Sequence, residues 1–363
     1  MIKIITILGT RPEITKLSPL LPLLDSHFNH KIIHTGQHYD HNMDRVFFEE
    51  LNLRKPDYLL NVGSGSHAEM TAKMMIGIEN ILLEEKPDGV IVFADPNTPL
   101  AGALVASKLH LPLIHLEAGC RSFNKKMPEE INRIICDHCA DLLLAPDNVA
   151  SQNLLKEGLS SDKIRIVGST AWQSSLRNLG IAREKSQILS KLCLDKKKYA
   201  LLTIHRAENT VPEILPGLVN AMNKISERIP LIFPRHPRTK NAMEEQNLTF
   251  NENVKVIDPV GYLDMLALLD NASFVMTGSG GLQEEAAALN TPCLVIRNET
   301  EWTYLTAAGK NILISNEEEK ILEKVNFLLD YPENLENMKN VRLDLNTNVA
   351  ERILEVLLNE FKE

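Results

Sequence analysis

The sequence contains no apolar run near the roughly 18 residues that a membrane-spanning helix needs. Its opening, Met1 to Leu8, is a short β-branched run that enters a turn at Gly9. The long apolar stretch and small-residue cleavage site of a secretory signal are absent there, so a cytoplasmic protein is expected. Cysteine is scarce: Cys120, Cys136, Cys139, Cys193 and Cys293 are odd in number and widely scattered, which argues against a disulfide framework. Cys136 and Cys139 form a C-x-x-C, but the second pair of a zinc ribbon is missing. The motif also falls inside a predicted helix rather than at its start, where a redox pair belongs. No metal is expected. Positive charge is in deficit, with 39 Lys and Arg against 48 Asp and Glu for a net charge of −9, and no basic block stands out. A nucleic-acid partner is therefore not expected, and any cations that hold an anionic substrate must be gathered locally. Low-complexity segments and short-period repeats are missing, which disfavours a solenoid. Neither a G-x-x-x-x-G-K-[ST] loop nor a G-x-S-x-G elbow occurs, which disfavours a P-loop NTPase and a serine hydrolase.

What is present is an ordinary globular composition, 44% apolar and 24% charged over 363 residues, long enough for roughly two domains at about 150 residues each. Short β-branched runs alternate with amphipathic stretches, the pattern of a parallel α/β sheet. Strands are predicted at Lys3–Leu8, Lys31–Thr35, Gly89–Ala94, Pro112–Leu116, Asp141–Leu144 and Ile164–Val167. A second series follows at Ala200–Ile204, Leu231–Phe233, Val254–Ile257, Phe274–Thr277, Cys293–Ile296 and Ile312–Ile314. The clearest helix is Pro128–Ala140, whose Ile131, Ile134, Ile135, His138 and Cys139 make an i, i+3, i+4, i+7, i+8 stripe expected to face the core. The last stretch, Asn346 to Glu363, reads as a helix with Ile353, Val356 and Leu357 on one face. No strand is predicted between Gly168 and Lys198, and the domain boundary is placed near Gly168–Ser174. Two parallel halves of similar size imply a cleft, with ligands at the carboxyl ends of the strands.

Several of those strand ends are polar. Gly9-Thr10-Arg11-Pro12-Glu13, followed by Lys16, has Arg where the second glycine of a dinucleotide-binding turn belongs, and suits a phosphate or carboxylate beside a helix N-terminus. Gly278-Ser279-Gly280-Gly281, running to Glu285, opens a helix with two glycines, so that backbone N–H groups and the Ser279 hydroxyl can hold a phosphate. Glu285 could then accept from ribose hydroxyls. Asp95, Glu117 and Glu129 with Glu130 form a carboxylate set. Convergence of these groups would raise the pKa of one or more of them, as acid–base work at neutral pH requires. The plainer alternatives are that Asp95 caps the next helix and that Glu129 favours the helix N-terminus and pairs with Arg133 at i+4. His205-Arg206-Ala207-Glu208-Asn209 ends a strand with a histidine able to protonate or stabilise a phosphate leaving group, and Arg235-His236-Pro237-Arg238 adds positive charge to the same edge.

Eight blocks, GTRPEITKLSP, HTGQHYDHNM, HLEAGCRSFNKKMPEEINR, TIHRAENT, HPRT, DPVGYLDML, GSGGLQEEAA and RNETEW, together resemble the non-hydrolysing UDP-N-acetylglucosamine 2-epimerase family from about Ile2 to Gly309. The resemblance implies a GT-B architecture of two Rossmann-like parallel-sheet domains facing across a cleft. Residues 1–168 would carry the acid–base carboxylates, residues 169–345 would bind UDP, and residues 346–363 would form a helix packing back on the first domain. It implies interconversion of UDP-GlcNAc and UDP-ManNAc, a step toward surface polysaccharide, by elimination of UDP to a 2-acetamidoglucal and re-addition, without a cofactor or metal and in a homodimer. Asp95, Glu117 and Glu129 match the acid–base positions, and His205 matches the residue that assists the leaving diphosphate. Arg11, Lys16, Gln37, His38, Arg133, Arg206, His236, Ser279, Gly280, Gly281 and Glu285 match substrate-binding positions. Three residues depart from the family pattern: Ala94 for Gly, Gly278 for Asp, and Trp302 for the Arg of many bacterial members. Asp40 also replaces a Gln of the allosteric pocket known in some members, so substrate activation is expected to be weak or absent. The same blocks look like the branch that epimerises UDP-2,3-diacetamido-2,3-dideoxyglucuronate. A GT-B glycosyltransferase and a non-catalytic UDP-sugar binder complete the alternatives.

Overall fold

The computed structural model describes residues 1–36, 47–300, 302–343 and 347–361. The chain divides into two compact units, Met1–Ser174 with Asn346–Glu363, and Ser175–Leu345.

The first unit is built on a seven-stranded parallel sheet. Its strands are β1 (Lys3–Leu8), β2 (Asn29–His34), β3 (Tyr58–Leu59), β4 (Gly89–Phe93), β5 (Leu113–Leu116), β6 (Leu142–Ala145) and β7 (Ile164–Ile166), in the order β3-β2-β1-β4-β5-β6-β7. Central strands of a parallel sheet carry helices on both faces and so read as continuous apolar runs. Ile4, Ile5, Ile7 and Leu8 of β1 and Val90 to Phe93 of β4 are accordingly buried, each large side chain contributing about 1.5–3 kcal/mol. The second unit repeats the plan with six parallel strands: β8 (Ala200–Thr203), β9 (Leu231–Pro234), β10 (Val254–Ile257), β11 (Phe274–Thr277), β12 (Cys293–Val295) and β13 (Asn311–Leu313), in the order β10-β9-β8-β11-β12-β13. Strand order reverses between β1 and β4 in one sheet and between β8 and β11 in the other. These are the two topological switch points, outside which ligands of such sheets bind.

The C-terminal helix, Val349–Glu360, belongs to the first unit and buries Val349, Ala350, Ile353, Leu354 and Leu357. Its first turn is tied down by Gln173, whose Oε1 accepts from the Ala350 N–H at 2.7 Å and whose Nε2 donates to Glu351 at 2.8 Å. Just past its end, Phe361 meets Phe28 edge-on, and its ring leaves only 2.5 Å for a Cβ at Gly89.

Two expectations change. β2 begins at Asn29 rather than Lys31 because the polar His30 is paired inside: its Nε2 lies 2.9 Å from Thr6 Oγ1 and its Nδ1 2.6 Å from Asp25. The larger change is in the Pro128–Cys139 helix. Its apolar stripe is only partly turned to the core: Ile131 is 46% exposed and His138 is exposed, while Cys139 packs against the core. The buried residues are Glu130, Asn132, Cys136 and Asp137. Hydrophobic periodicity reports the inner face only when that face is apolar, and here it is a polar face whose groups all find partners.

Candidate active site

At the β1/β4 switch point, the turn after β1 is shaped by Gly9. A Cβ there would stand 2.0 and 2.3 Å from the hydroxyls of Thr35 and Thr98, which bond each other at 2.8 Å. Thr10 then caps the Arg11–Leu17 helix in a capping box with Glu13. Glu13 Oε2 accepts from the Gly9 N–H (3.0 Å), the Thr10 N–H (2.7 Å) and the Thr10 hydroxyl (2.8 Å), while its buried Oε1 has no partner. Burial drives this carboxyl up to about 7 against those hydrogen bonds, with Asp95 adding a smaller push. Glu13 is a side chain the sequence marks only as part of a turn.

One helical turn on, Lys16 reaches Glu117, its Nζ 3.0 and 2.9 Å from the two carboxylate oxygens. Glu117 follows β5 with φ +63°, and Ala94, between β4 and Asp95, has φ +59°. Both backbones lie in the left-handed region that side chains disfavour. The glycine that relatives are expected to carry in place of Ala94 fits this geometry without strain.

The Pro128–Cys139 helix holds the rest of this site with its polar face. Arg133 reaches the Asp95 carboxylate through Nε at 2.8 Å and a terminal nitrogen at 2.5 Å, and reaches Glu130 at 2.8 Å. Asn132 donates to the Asp95 carbonyl at 2.9 Å. Glu130 accepts from the N–H groups of Ser122 (2.9 Å) and Phe123 (2.8 Å). Burial pushes Glu130 up, but these N–H groups and Arg133 more than offset it and hold it below the usual carboxylate range. Asp137 accepts from the Gly119 N–H at 3.1 Å and pairs with His115 and Arg121, both at 2.7 Å. The plainer readings hold only in part: Glu129 does sit in the first turn of its helix. Asp95 makes no cap, since the Asn97–Lys108 helix has Pro96 at its N-cap without a side-chain bond. Arg133 pairs with Glu130 at i,i+3 and with Asp95, and Glu129 takes no part in an ion pair among the described residues. Glu130, Asn132 and Asp137 were legible as polar residues at i, i+2 and i+7, but sequence alone gives no sign that this face turns inward.

At the β8/β11 switch point, Thr203 and Thr277 close the two strands with a hydroxyl–hydroxyl bond of 2.6 Å, and the Ser279 N–H donates to Thr277 Oγ1 at 3.0 Å. Ser279 caps the Gly280–Ala288 helix by accepting from the Leu282 N–H at 3.5 Å. No heavy atom outside its local chain lies within 4 Å of a Cβ built on Gly281, so the first helical turn is open to close approach. A Cβ at Gly278 would stand 3.6 Å from Arg206 Cδ, so an Asp there would lie against that arginine. Burial and the nearby Glu285 charge push the Tyr262 phenol well up. After β8, the His205 ring sits 5.6 Å from that of His236, and Arg238 donates to the His205 carbonyl at 2.8 Å. Burial, then His236, Arg206 and Arg238, lower His205 to about 4, and burial with Arg238 lowers His236. His205 is therefore neutral at pH 7, and an anion beside it would raise it. Gln37, His38 and Asp40 lie outside the described residues.

Cys136 is buried, and burial pushes its thiol well up; the partner of its motif, Cys139, is half-buried. Among the described residues, no group of three His, Cys, Asp or Glu side chains could hold a metal ion, and no helix is long and apolar enough to cross a membrane.

The family model described as UDP-N-acetylglucosamine 2-epimerase matches residues 24–358. A UDP-N-acetylglucosamine 2-epimerase of Methanococcus maripaludis is 50% identical over 339 residues, covering 91% of this chain and 92% of the relative. A UDP-2,3-diacetamido-2,3-dideoxy-D-glucuronate 2-epimerase of Pseudomonas aeruginosa is 43% identical over 88% of this chain and 90% of its own. The crystal structure of the Methanocaldococcus jannaschii UDP-GlcNAc 2-epimerase in complex with UDP-GlcNAc and UDP is similar at a TM-score of 0.87 and 45% identity, over 99% of this chain and 100% of that one. The two parallel-sheet domains are thus those of the GT-B fold class.

Proposed function

Because the chain belongs to the UDP-N-acetylglucosamine 2-epimerase family, we propose that it is an isomerase that interconverts UDP-GlcNAc and UDP-ManNAc. The observation that carries this reading is the pair of preset carboxylate–cation contacts at neighbouring strand ends, Asp95 on Arg133 and Glu117 on Lys16. A transferase or a simple binder has no need of them.

The C2 hydrogen of the sugar has no adjacent carbonyl and is very weakly acidic. The C1–oxygen bond must therefore lead, its electron pair leaving with UDP while positive charge develops in the ring. Stabilising the departing diphosphate is then the dominant task. The reading gives that task to His205 with Arg206 and His236, and to the N–H groups at Gly280 and Gly281. A carboxylate from the set Asp95, Glu117 and Glu129 takes the C2 proton, and the C–H electrons form the C1–C2 double bond of 2-acetamidoglucal. For return, a proton is delivered to the opposite face of C2 as UDP re-adds at C1. Inversion thus needs acid–base groups on both faces, which one carboxylate cannot supply. Arg11, Lys16, Arg133, Ser279 and Glu285 complete the proposed substrate contacts, with Gln37 and His38 from the segment outside the described residues. A homodimer and a cytoplasmic location are parts of the same proposal.

Proton NMR of UDP-GlcNAc with the protein in heavy water tests it. The expected result is deuterium at C2 with UDP-ManNAc appearing, and loss of both in Asp95→Asn and Glu117→Gln by about 10²- to 10⁴-fold. Release of free ManNAc with UDP would instead mean hydrolysis. Exchange only with the diacetamido-glucuronate sugar would move the protein to the substrate named for the Pseudomonas relative.

A further inference from the structure

His115, in the middle of β5, is buried with both ring nitrogens facing acceptors. Nδ1 lies 2.7 Å from Asp137 Oδ1, and Nε2 lies 3.0 Å from the carbonyl oxygen of Ala94. Neither oxygen has a proton to give. A carbonyl has none, and Asp137 is held ionised because its other oxygen accepts from the Gly119 N–H and the Arg121 guanidinium. A neutral imidazole has one N–H and one lone pair, so it would point that lone pair at an acceptor in a site closed to water, at the cost of an unsatisfied buried group.

We infer that His115 is a protonated positioning residue for the proposed epimerisation, an imidazolium that clamps the Ala94 carbonyl to Asp137 and so fixes the turn that presents Asp95. The inference rests on the reading of Asp95 as a reacting carboxylate. The charged groups that face the ring are Asp137, from the Pro128–Cys139 helix, and Arg121, from the segment after β5. Behind Arg121 stands Glu157, bound at 2.7 and 2.8 Å. Two cations and two anions close the network without net charge. Burial alone would pull the ring down, and the Asp137 charge and hydrogen bond more than reverse it.

The clamp completes a pattern. Asp95 is gripped three ways by one helix: its carboxylate by Arg133, its own carbonyl by Asn132, and the carbonyl before it by Asp137 acting through His115. The left-handed Ala94 needs such a hold, because its backbone lies in a strained region that persists only when its surroundings fix it. Losing one hydrogen-bonded strut beside a reacting group can misplace that group by enough to cost about tenfold or more in kcat while substrate affinity is kept.

Ring nitrogen–proton correlation spectra of the whole wild-type protein test the charge state directly and need no activity. Both His115 nitrogens are expected to carry a proton at pH 7; a single protonated nitrogen there overturns the inference. Asp137→Asn removes the anion, so His115 is expected to lose a proton more readily than in the wild type as pH rises. C2 exchange should then fall about tenfold on the alkaline side with KM within about twofold. His115→Gln, which keeps one donor, is expected to lower kcat at every pH without the new alkaline limb. Variants that lose only thermal stability, with kcat unchanged, also overturn it. If the wild-type spectra show the imidazolium but no C2 exchange occurs with any substrate, the charge state stands and the reaction reading is the part that failed.

Discussion

At the end of β1, β4 and β5, acids and bases arrive already matched. Asp95 and Glu130 share Arg133 at 2.5 and 2.8 Å, and Glu117 holds Lys16 at 2.9 Å. At the end of β8 and β9, basic side chains gather beside one another. His205, His236, Arg206 and Arg238 crowd together, and Arg206 lies 3.7 Å from Glu208. Two sheets built on the same plan therefore present different electrostatic character at equivalent switch points. A paired site is preorganised for moving protons, because its carboxylates are oriented and their charges balanced before a ligand arrives. A site rich in basic side chains is suited to a multiply charged anion. The overall charge of −9 makes the local character of the second site the more telling.

The matched site has one discordant member, and it gives the largest effect. Glu13 is protonated in the folded chain up to about 7, against an ordinary value of 4.5. A folded-state pKa above the unfolded one stabilises the protein fully below pH 4.5 and loses that contribution as pH rises through about 7, because only the folded state keeps the proton in that window. A shift of this size is worth on the order of 3 kcal/mol. Denaturant unfolding of the wild type is expected to weaken by about that much between pH 4.5 and 8, beyond any slope shared with Glu13→Gln. The variant keeps an acceptor for the Gly9 and Thr10 N–H groups and should lack this component of the slope. Parallel profiles for the two proteins would mean that Glu13 is ionised in the fold, and that the first site is fully paired after all.

The basic site predicts a different response, to an anion. His205, at about 4 in the unliganded protein, is expected to rise by about 2 units when UDP binds, as a nearby negative charge favours the imidazolium. The linked consequence is proton uptake on binding and an affinity that increases as pH falls from about 6 toward 4, by up to about 100-fold. Histidine NMR titrations with and without UDP, together with calorimetry in buffers of different ionisation enthalpy, measure both. An unmoved His205 with UDP bound would place the diphosphate elsewhere and remove the contrast drawn above.

How much of this could be read from the sequence follows the same division. The strand ends were legible because parallel strands are apolar runs that stop at polar turns: β1, β10 and β11 fall on the predicted residues, the two-residue edge strand β3 is not among those predicted, and the others shift by one or two. Lys16, Asp95, Glu117, His205 and Ser279 were legible as polar residues just past such runs. The inner face of the Pro128–Cys139 helix was not. Its apolar stripe is partly exposed and Glu130, Asn132 and Asp137 are buried, so a periodicity argument missed the polar inner face. Pairings across the fold, such as Arg133 with Asp95 38 residues away, depend on tertiary placement, which no local pattern encodes. The state of Glu13 is likewise set by burial rather than by its neighbours in the chain.

The smallest effect concerns the backbone beneath the matched site. Ala94 holds φ +59°, and the peptide it opens carries Asp95 toward Arg133 while its own carbonyl accepts from His115. For a residue with a Cβ this conformation costs about 1–2 kcal/mol. Ala94→Gly removes that cost but adds freedom to the unfolded chain worth roughly 0.4–1 kcal/mol. The balance is a gain of about 0.5–1 kcal/mol, visible as a higher denaturant midpoint at an unchanged slope. Activity should stay within about twofold, because Asp95 is held at its carboxylate by Arg133 and at its carbonyl by Asn132 whichever residue precedes it. A loss of stability would mean that the surroundings have relaxed around the alanine methyl group. A large loss of kcat at normal stability would mean that the methyl group itself helps to aim Asp95, and the paired site would then owe its order to packing as well as to charge.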